Sequence, residues 1–446
     1  MPLRVRESGV VEKQGARRMS ISQGPVADPS LSKPVATQPT GRIVALDFIR
    51  GIAVLGILFA NITAFAHPTL AYYWPGALPG GGTPTDAAIW LIQFVLVDGK
   101  LRGLFTLLFG AGMVLFVQRA ATQGDGTTLQ ARRLAWLLVF GLVHFALLFV
   151  GDILVSYAVA GFLALPLMRW SARRQIVVGT AWYILCAMAL MGLMGSAAAI
   201  EANPASRGDP AVAAQWQVME EGRRQQFASA ADAAAVYSGG SYSEVVRYRL
   251  TGERRVLAQG IVLVLVETLP LMLLGMGLYR CGLFSGGLDR RRVRRWGWTA
   301  LLCGAALSAW IGGVALESGL PFHVTQFVFN AAAALPRLPM ILGLAGLLSL
   351  LASGAERGWL GRRIIAAGRM AFSNYIFTSV LMMLVFHGWA GGLFGALSRI
   401  NLLGFVFLGW VLMLAWSAPW LARFRYGPLE WLWRCLTFGQ RFPLRH

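Results

Sequence analysis

The chain has 446 residues, of which 56% are hydrophobic and only 13% charged, about half the charge of an ordinary soluble domain, so water is excluded as the main solvent of its surface. The net charge is +20, from 40 basic and 20 acidic residues, yet only Lys13, Lys33 and Lys100 are lysines, and the arginines gather in short clusters between apolar runs. That is the loop pattern of a membrane protein, and it excludes a basic nucleic-acid groove.

Residues 1–40 are polar and rich in Pro, Ser and Gln, with no apolar core. They predict a disordered basic cytoplasmic tail rather than a cleavable signal peptide, so the first apolar run serves as an uncleaved anchor. Apolar runs follow at about 43–65, 86–118, 134–150, 153–168, 175–199, 256–279, 296–316, 322–353, 364–390 and 400–421. At about 20 residues per span, they predict an all-α polytopic transmembrane bundle of about ten spans. Segment 86–118 is too long for one straight span, and Asp98-Gly-Lys100 interrupts it, so a break or re-entrant turn is expected there.

The arginines set an orientation. Arg119, Arg132 and Arg133 flank one turn, Arg169, Arg173 and Arg174 another, Arg280 with Arg290–Arg295 a third, and Arg362 and Arg363 a fourth. With these turns cytoplasmic, both termini are cytoplasmic as well, as for a multi-pass protein of the cell inner membrane. Segment 201–255 then lies outside. Its seven acidic residues balance seven arginines, and it carries Trp216, Phe227, Tyr237, Tyr242 and Tyr248. It reads as a partly helical cap or as a spacer. The organisation expected is a tail over 1–40, a bundle over 41–200, an external loop or cap over 201–255, a second transmembrane region over 256–438 and a cytoplasmic tail over 439–446.

Ionisable groups at membrane depth are costly, and each invites a functional reading. On the first span Asp47, Arg50 and Asn61 fall within one narrow helical stripe, beside Gly51 and Gly56, which permit close helix contact. The stripe reads either as a ligand-facing surface or, for Asp47 and Arg50, as a local i,i+3 pair. His144 lies about two helical turns before Asp152, so both reach one cavity: an imidazole to move a proton and a carboxylate to fix its tautomer. The alternative is a histidine bonded to a neighbouring carbonyl, the reading preferred for His323 and His387. Lys100 reads evenly as the closure of the helix break near Asp98 or as a contact for an anionic substrate. Glu267, in Val-Leu-Val-Glu-Thr-Leu-Pro, reads first as a structural hydrogen-bonding group and second as a proton relay. The four cysteines have neither metal-ligand nor redox spacing, and no metal is expected.

These residues also carry a resemblance. Leu46-Asp-Phe-Ile-Arg-Gly-Ile-Ala-Val-Leu-Gly-Ile-Leu58, Lys100-Leu-Arg-Gly-Leu-Phe-Thr-Leu-Leu-Phe-Gly-Ala-Gly112 and Gly151-Asp-Ile-Leu154 resemble the YeiB family of bacterial membrane proteins. So do Gly368-Arg-Met-Ala-Phe-Ser-Asn-Tyr375 and Gly427-Pro-Leu-Glu-Trp-Leu-Trp-Arg-Cys-Leu-Thr437, in the family's order from about 42 to 438. The N-terminal half is similar to the transmembrane acyltransferase group that includes heparan-alpha-glucosaminide N-acetyltransferase, through Asp47, Arg50, Gly51 and Asn61. That resemblance implies an acyl group taken from cytoplasmic acyl-CoA and given to a hydroxyl or amine of a small-molecule or glycan acceptor at the outer face. A histidine soon after the Asn serves the eukaryotic enzyme. Here His67 stands at a different spacing, and His144 is the preferred base.

The expected roles follow. His144 deprotonates the acceptor, Asp152 orients it, and Asn61 donates to the developing oxyanion. Asp47, Arg50, Lys100, Arg369, Asn374 and Arg434 line the donor site, the basic groups meeting phosphates. Arg369, Ser373 and Asn374 are expected to face the interior near the first stripe. The alternative is a secondary transporter of a small metabolite with the same stripe along its pathway, and a third reading is a non-catalytic scaffold. Membrane lipid is the expected partner, and a homo-oligomer is left open.

Overall fold

The computed structural model describes residues 43–120 and 125–446; the tail expected over 1–40 lies outside them. Among the described residues the chain is all helical. In order come α1 (Val44–Ala66), α2 (Leu70–Tyr73), α3 (Pro84–Leu96), α4 (Lys100–Ala120), α5 (Gly126–Leu147) and α6 (Leu154–Ala164). Next are α7 (Ala172–Ala202), α8 (Pro210–Gly239), α9 (Tyr242–Thr251), α10 (Arg254–Leu263), α11 (Leu269–Arg280) and α12 (Arg290–Glu317). The last six are α13 (Phe322–Phe327), α14 (Ala334–Ala355), α15 (Trp359–Arg369), α16 (Ala371–Phe386), α17 (Arg399–Arg423) and α18 (Pro428–Phe438).

Among the described residues seven stretches are long and apolar enough to cross a membrane, and α15 with α16 makes an eighth if that bent pair is one span. The protein is therefore a multi-pass membrane protein. The expected ten also counted α5, whose first turns carry Arg132 and Arg133, and α6, which is only 11 residues long. Burial sorts the spans: 67% of the apolar window is buried in α1 and in Arg254–Arg280 (α10–α11), against 17% for α7 and 22% for α12, so the first two are inner spans and the last two face lipid. Leu193, Trp310 and Phe407 are more than half exposed, which suits hydrocarbon and not water.

Glycine sets the closest contacts. A Cβ on Gly51 would sit 2.1 Å from the Ile364 carbonyl oxygen, and one on Gly368 would sit 1.8 Å from that of Asp47, so α1 and α15 touch backbone to backbone. Gly56 packs under Leu101, while Gly110 meets the Met272 carbonyl and Gly275 that of Leu107, joining α4 to α11 in the same way.

The expected break lies at Val97–Gly99, between α3 and α4. Gly99 has φ +73°, and a Cβ there would meet Arg337 Nε at 2.2 Å, so only glycine fits. A second break was not expected. The 364–390 run bends by 85° at Met370 between α15 and α16, so Arg369 and Ser373 are not i,i+4 neighbours on one helix but stand on either side of a corner. Two π-helical turns, Val264–Thr268 and Val328–Ala332, widen α10–α11 and α13–α14.

Segment 201–255 is a helical cap. The α9 residue Tyr242 donates its hydroxyl to the Leu147 carbonyl at the end of α5, and Gly388 N–H donates to the Tyr237 carbonyl of α8. At the opposite end of α5, Trp433 of α18 donates to the Arg133 carbonyl at 2.9 Å. The cap and α18 thus sit at opposite ends of the bundle. The final residues fold back on α18: Arg425 N–H donates to Leu444, and Trp431 Nε1 to Phe442.

Candidate functional site: a basic-headed chamber

A cavity of about 150 Å³ opens among α1, α4, α5, α6, the α15–α16 corner and α18. Arg50, Val54 and Ile57 of α1 line it at helical spacing; of the expected stripe of Asp47, Arg50 and Asn61, only Arg50 is in the lining. Phe105, Phe109 and Met113 of α4, Leu137 of α5, and Leu154 and Tyr157 of α6 complete an apolar wall. The other end is polar, with Arg50, Gln130, Arg133, Arg369 and Glu430.

The arginines are held apart by the fold. Arg50 pairs with Asp47 at 3.4 Å and reaches over Gly112, where a Cβ would meet its Nη2 at 2.9 Å. Arg133 is clamped between the rings of Trp433 and Phe116, at 4.2 and 4.8 Å, and feels the like charges of Arg50 and Arg434. Arg369 donates to the Arg425 carbonyl at 3.3 Å. Glu430 is the one acidic residue lining the chamber, and it is occupied. It accepts from the N–H groups of Phe372 (2.8 Å) and Ser373 (3.1 Å) in the first turn of α16. Burial pushes the Glu430 carboxyl up from its usual value, against the pull of Ser373 and the backbone donors.

The expected imidazole–carboxylate pair forms. His144 Nδ1 donates to Asp152 Oδ1 at 2.8 Å, and Asp152 Oδ2 accepts from the Val155 N–H at 2.7 Å, which caps α6 and aims the carboxylate. His144 Nε2 lies 2.9 Å from Ser379 Oγ, and the one proton of that hydroxyl has two acceptors within reach, Nε2 and the Tyr375 carbonyl at 3.1 Å. Ser379 sits mid-helix, where its neighbours' N–H groups serve the helix, so this Ser–His–Asp array has no backbone oxyanion donors at the serine. His144 and Asp152 do not line the chamber; Tyr375, whose ring lies 4.8 Å from the imidazole, stands between.

Other expected site residues lie elsewhere. Asn61 is half-buried one turn beyond Ile57, outside the lining. Lys100 is fully buried at the helix break, donating to the Phe94 carbonyl over the Phe94 ring, so closure of the break describes it and substrate contact does not. Its partner is that carbonyl rather than Asp98, which instead accepts from Gln93 at 3.2 Å. Asn374 is buried as expected, but it ties α16 to the Ala367 carbonyl and to Ser417 and Trp416 of α17 rather than facing the chamber. Arg434 lies among the rings of Tyr426, Phe438 and Phe442, outside the lining. Glu267, on the first π turn, pairs with Arg102 at 2.8 Å and Arg337 at 3.4 Å, and Arg337 also donates to Phe329 on the second. His67 caps α1 and bonds the Leu397 carbonyl at 2.8 Å, at the cap end of the bundle. No cluster suited to a metal ion occurs among the described residues.

Sequence reasoning missed Gln130, Arg133 as a site residue, and Glu430. The signal for Glu430 was present in Gly427-Pro-Leu-Glu: an N-cap glycine, proline at the first helical position and an acid in the first turn. That pattern reads as a cap for its own helix, and here the carboxylate caps another.

Residues 278–440 match the family described as "Protein of unknown function (DUF418)". Over 411 residues the chain is 30% identical to YeiB of Escherichia coli (strain K12), covering 90% of this chain and 98% of that protein. It is 27% identical to YxaH of Bacillus subtilis (strain 168), covering 91% and 98%, and 25% identical to a 39.9 kDa protein of Bacillus acidopullulyticus, covering 90% and 96%. No solved structure matches it. With nearly the whole of both chains aligned, the chain belongs to the YeiB family of bacterial membrane proteins.

Proposed function

We propose that this protein is an inner-membrane acyltransferase whose chamber takes the donor, acyl-CoA, and passes the acyl group to a hydroxyl or amine acceptor. The observation that carries the reading is the convergence of Arg50, Arg133 and Arg369, from α1, α5 and α15, beside Gln130 and Glu430 on one end of a chamber whose opposite wall is apolar. An anionic head with an apolar arm matches that division. The arginine-rich turns share this end with α18 and the cap holds the other, which supports a cytoplasmic donor side and an outer acceptor side.

In the step proposed, the acceptor's O–H or N–H proton passes to His144 Nε2 while Ser379 keeps its bond to the Tyr375 carbonyl. The acceptor atom attacks the thioester carbonyl, the C–S bond breaks, and the leaving thiolate takes the proton held on His144 Nε2, which returns the imidazole to its neutral form. Asp152 holds Nδ1–H and stabilises the imidazolium. Tyr375 must turn aside for the acceptor to reach Nε2. Asn61 lies outside the lining, and the proposal does without it.

The test is thiol release from acetyl-CoA by the purified protein supplied with hydroxyl and amine acceptors. Secondary transport is the second reading, favoured by the Glu267 cluster, in which one carboxylate joins two arginines across two π turns. It predicts flux in proteoliposomes without thioester cleavage.

A further inference from the structure

Gln130 stands in the second turn of α5, 1% exposed, and lines the basic end of the chamber. Both Nε2 and Oε1 of its amide lie buried with no hydrogen-bond partner in the protein. A buried amide left unmatched is costly, and most buried side-chain polar atoms are satisfied. The helix does not force it there for packing: Leu134 and Leu137 on the same helix are fully buried apolar side chains, and an apolar residue at 130 would meet no lost bond. The arginines around it can only donate, so they cannot satisfy the amide's N–H. Glu430, the acid nearby in the lining, has both oxygens engaged by the α16 turn and Ser373.

We propose that Gln130 is a recognition residue for a ligand group that carries both an N–H donor and a carbonyl acceptor, which in the acyl donor is an amide of the pantetheine arm. The inference rests on the acyltransferase reading and deepens it: the arginines select the charge, and Gln130 selects the arm next to it. A ligand that fills the chamber beside this buried amide is favoured when it offers both partners that the protein withholds. Pyrophosphate supplies the charge but no N–H, and a fatty acid supplies neither an amide nor a phosphate. The chamber should therefore discriminate among anions of similar charge by their amide content.

The test is binding to the purified full-length protein in detergent, with coenzyme A as the amide-bearing probe and inorganic pyrophosphate as the amide-free one. Gln130→Leu should weaken coenzyme A binding by about 5- to 100-fold, as expected for two lost hydrogen bonds, and leave pyrophosphate binding within twofold. Gln130→Met, of the original length, should give the same split, which separates recognition from a misfolded α5. Equal loss for both probes, or loss for neither, overturns the assignment while leaving the donor reading intact. Wild-type protein that binds pyrophosphate but not coenzyme A overturns the donor reading, and this inference with it.

Discussion

Ser373 and Glu430 cap each other's helices. The Ser373 hydroxyl donates to Glu430 Oε2 and accepts from the Leu429 N–H of α18 at 3.0 Å, while Glu430 Oε1 accepts from the N–H groups of Phe372 and Ser373, the second and third residues of α16. Each residue stands in the first turn of one helix and satisfies donors of the other, so the chamber's corner and its floor are fixed by one contact.

That contact predicts a stability loss. Glu430→Ala strands two backbone N–H groups and one hydroxyl, and should cost about 1–3 kcal/mol, read as a lower thermal midpoint in detergent. A pH dependence follows as well. Burial raises the folded-state carboxyl pKa above the ordinary 4.5, so the folded chain holds this proton more tightly than the unfolded one. Its contribution to stability is greatest below 4.5 and falls as pH rises through the folded value. Glu430→Gln, which does not titrate, should flatten that part of the stability–pH curve; an unchanged curve would contradict it.

Close backbone packing makes a second prediction. Gly368→Ala places a methyl 1.8 Å from the Asp47 carbonyl oxygen, and should destabilise by about 1–3 kcal/mol through the forced separation of α1 and α15. Gly404→Ala, in open space on α17, should be neutral or slightly stabilising. Equal midpoints for the two variants would argue against the α1–α15 contact.

The basic head makes a third. Arg50→Gln and Arg369→Gln should each weaken coenzyme A binding by about 10- to 150-fold, the loss of one charge-assisted bond. Arg133→Gln should lose more, because its clamp between Trp433 and Phe116 also sets the guanidinium in place. Affinity should fall with added salt in the wild type and less steeply in each variant. Titration calorimetry at two salt concentrations decides it.

Much of this arrangement was legible in the sequence, for local reasons. Asp47 and Arg50 stand on one turn, so helical spacing brought out their pair and put Arg50 on a polar face, while the chamber's α1 wall continues through the apolar Val54 and Ile57, which no polar spacing marks. His144 and Asp152 are eight residues apart and meet across one tight turn. The break at Gly99 announced itself by charge at membrane depth. What stayed hidden was long-range. Glu430 reaches Ser373 across 57 residues, and Trp433 reaches Arg133 across 300, distances at which no spacing rule applies. The bend at Met370 carries neither Pro nor a charge run to mark it, so an apolar run that turns by 85° reads as a straight span. Spacing left Lys100 even between closing the helix break and meeting an anionic substrate, because the carbonyl that receives it, that of Phe94, is set by the path of the break and not by a side chain.

The dyad makes the fourth prediction. His144→Ala should remove acyl transfer by about 10²–10⁴-fold while leaving coenzyme A binding within a few fold, since the imidazole lies behind Tyr375 and outside the donor lining. Asp152→Asn should cost less, because it orients the ring and does not carry the proton. Loss of coenzyme A binding in His144→Ala would place the dyad in the donor site instead.

The most direct test of the account is thiol release from acetyl-CoA by the purified protein across a panel of hydroxyl and amine acceptors, with thermal protection by coenzyme A followed in parallel. The account predicts acceptor-dependent thiol release that disappears in His144→Ala, and protection that disappears in Arg133→Gln. Wild-type protein that is neither protected by coenzyme A nor cleaves the thioester with any acceptor would contradict it.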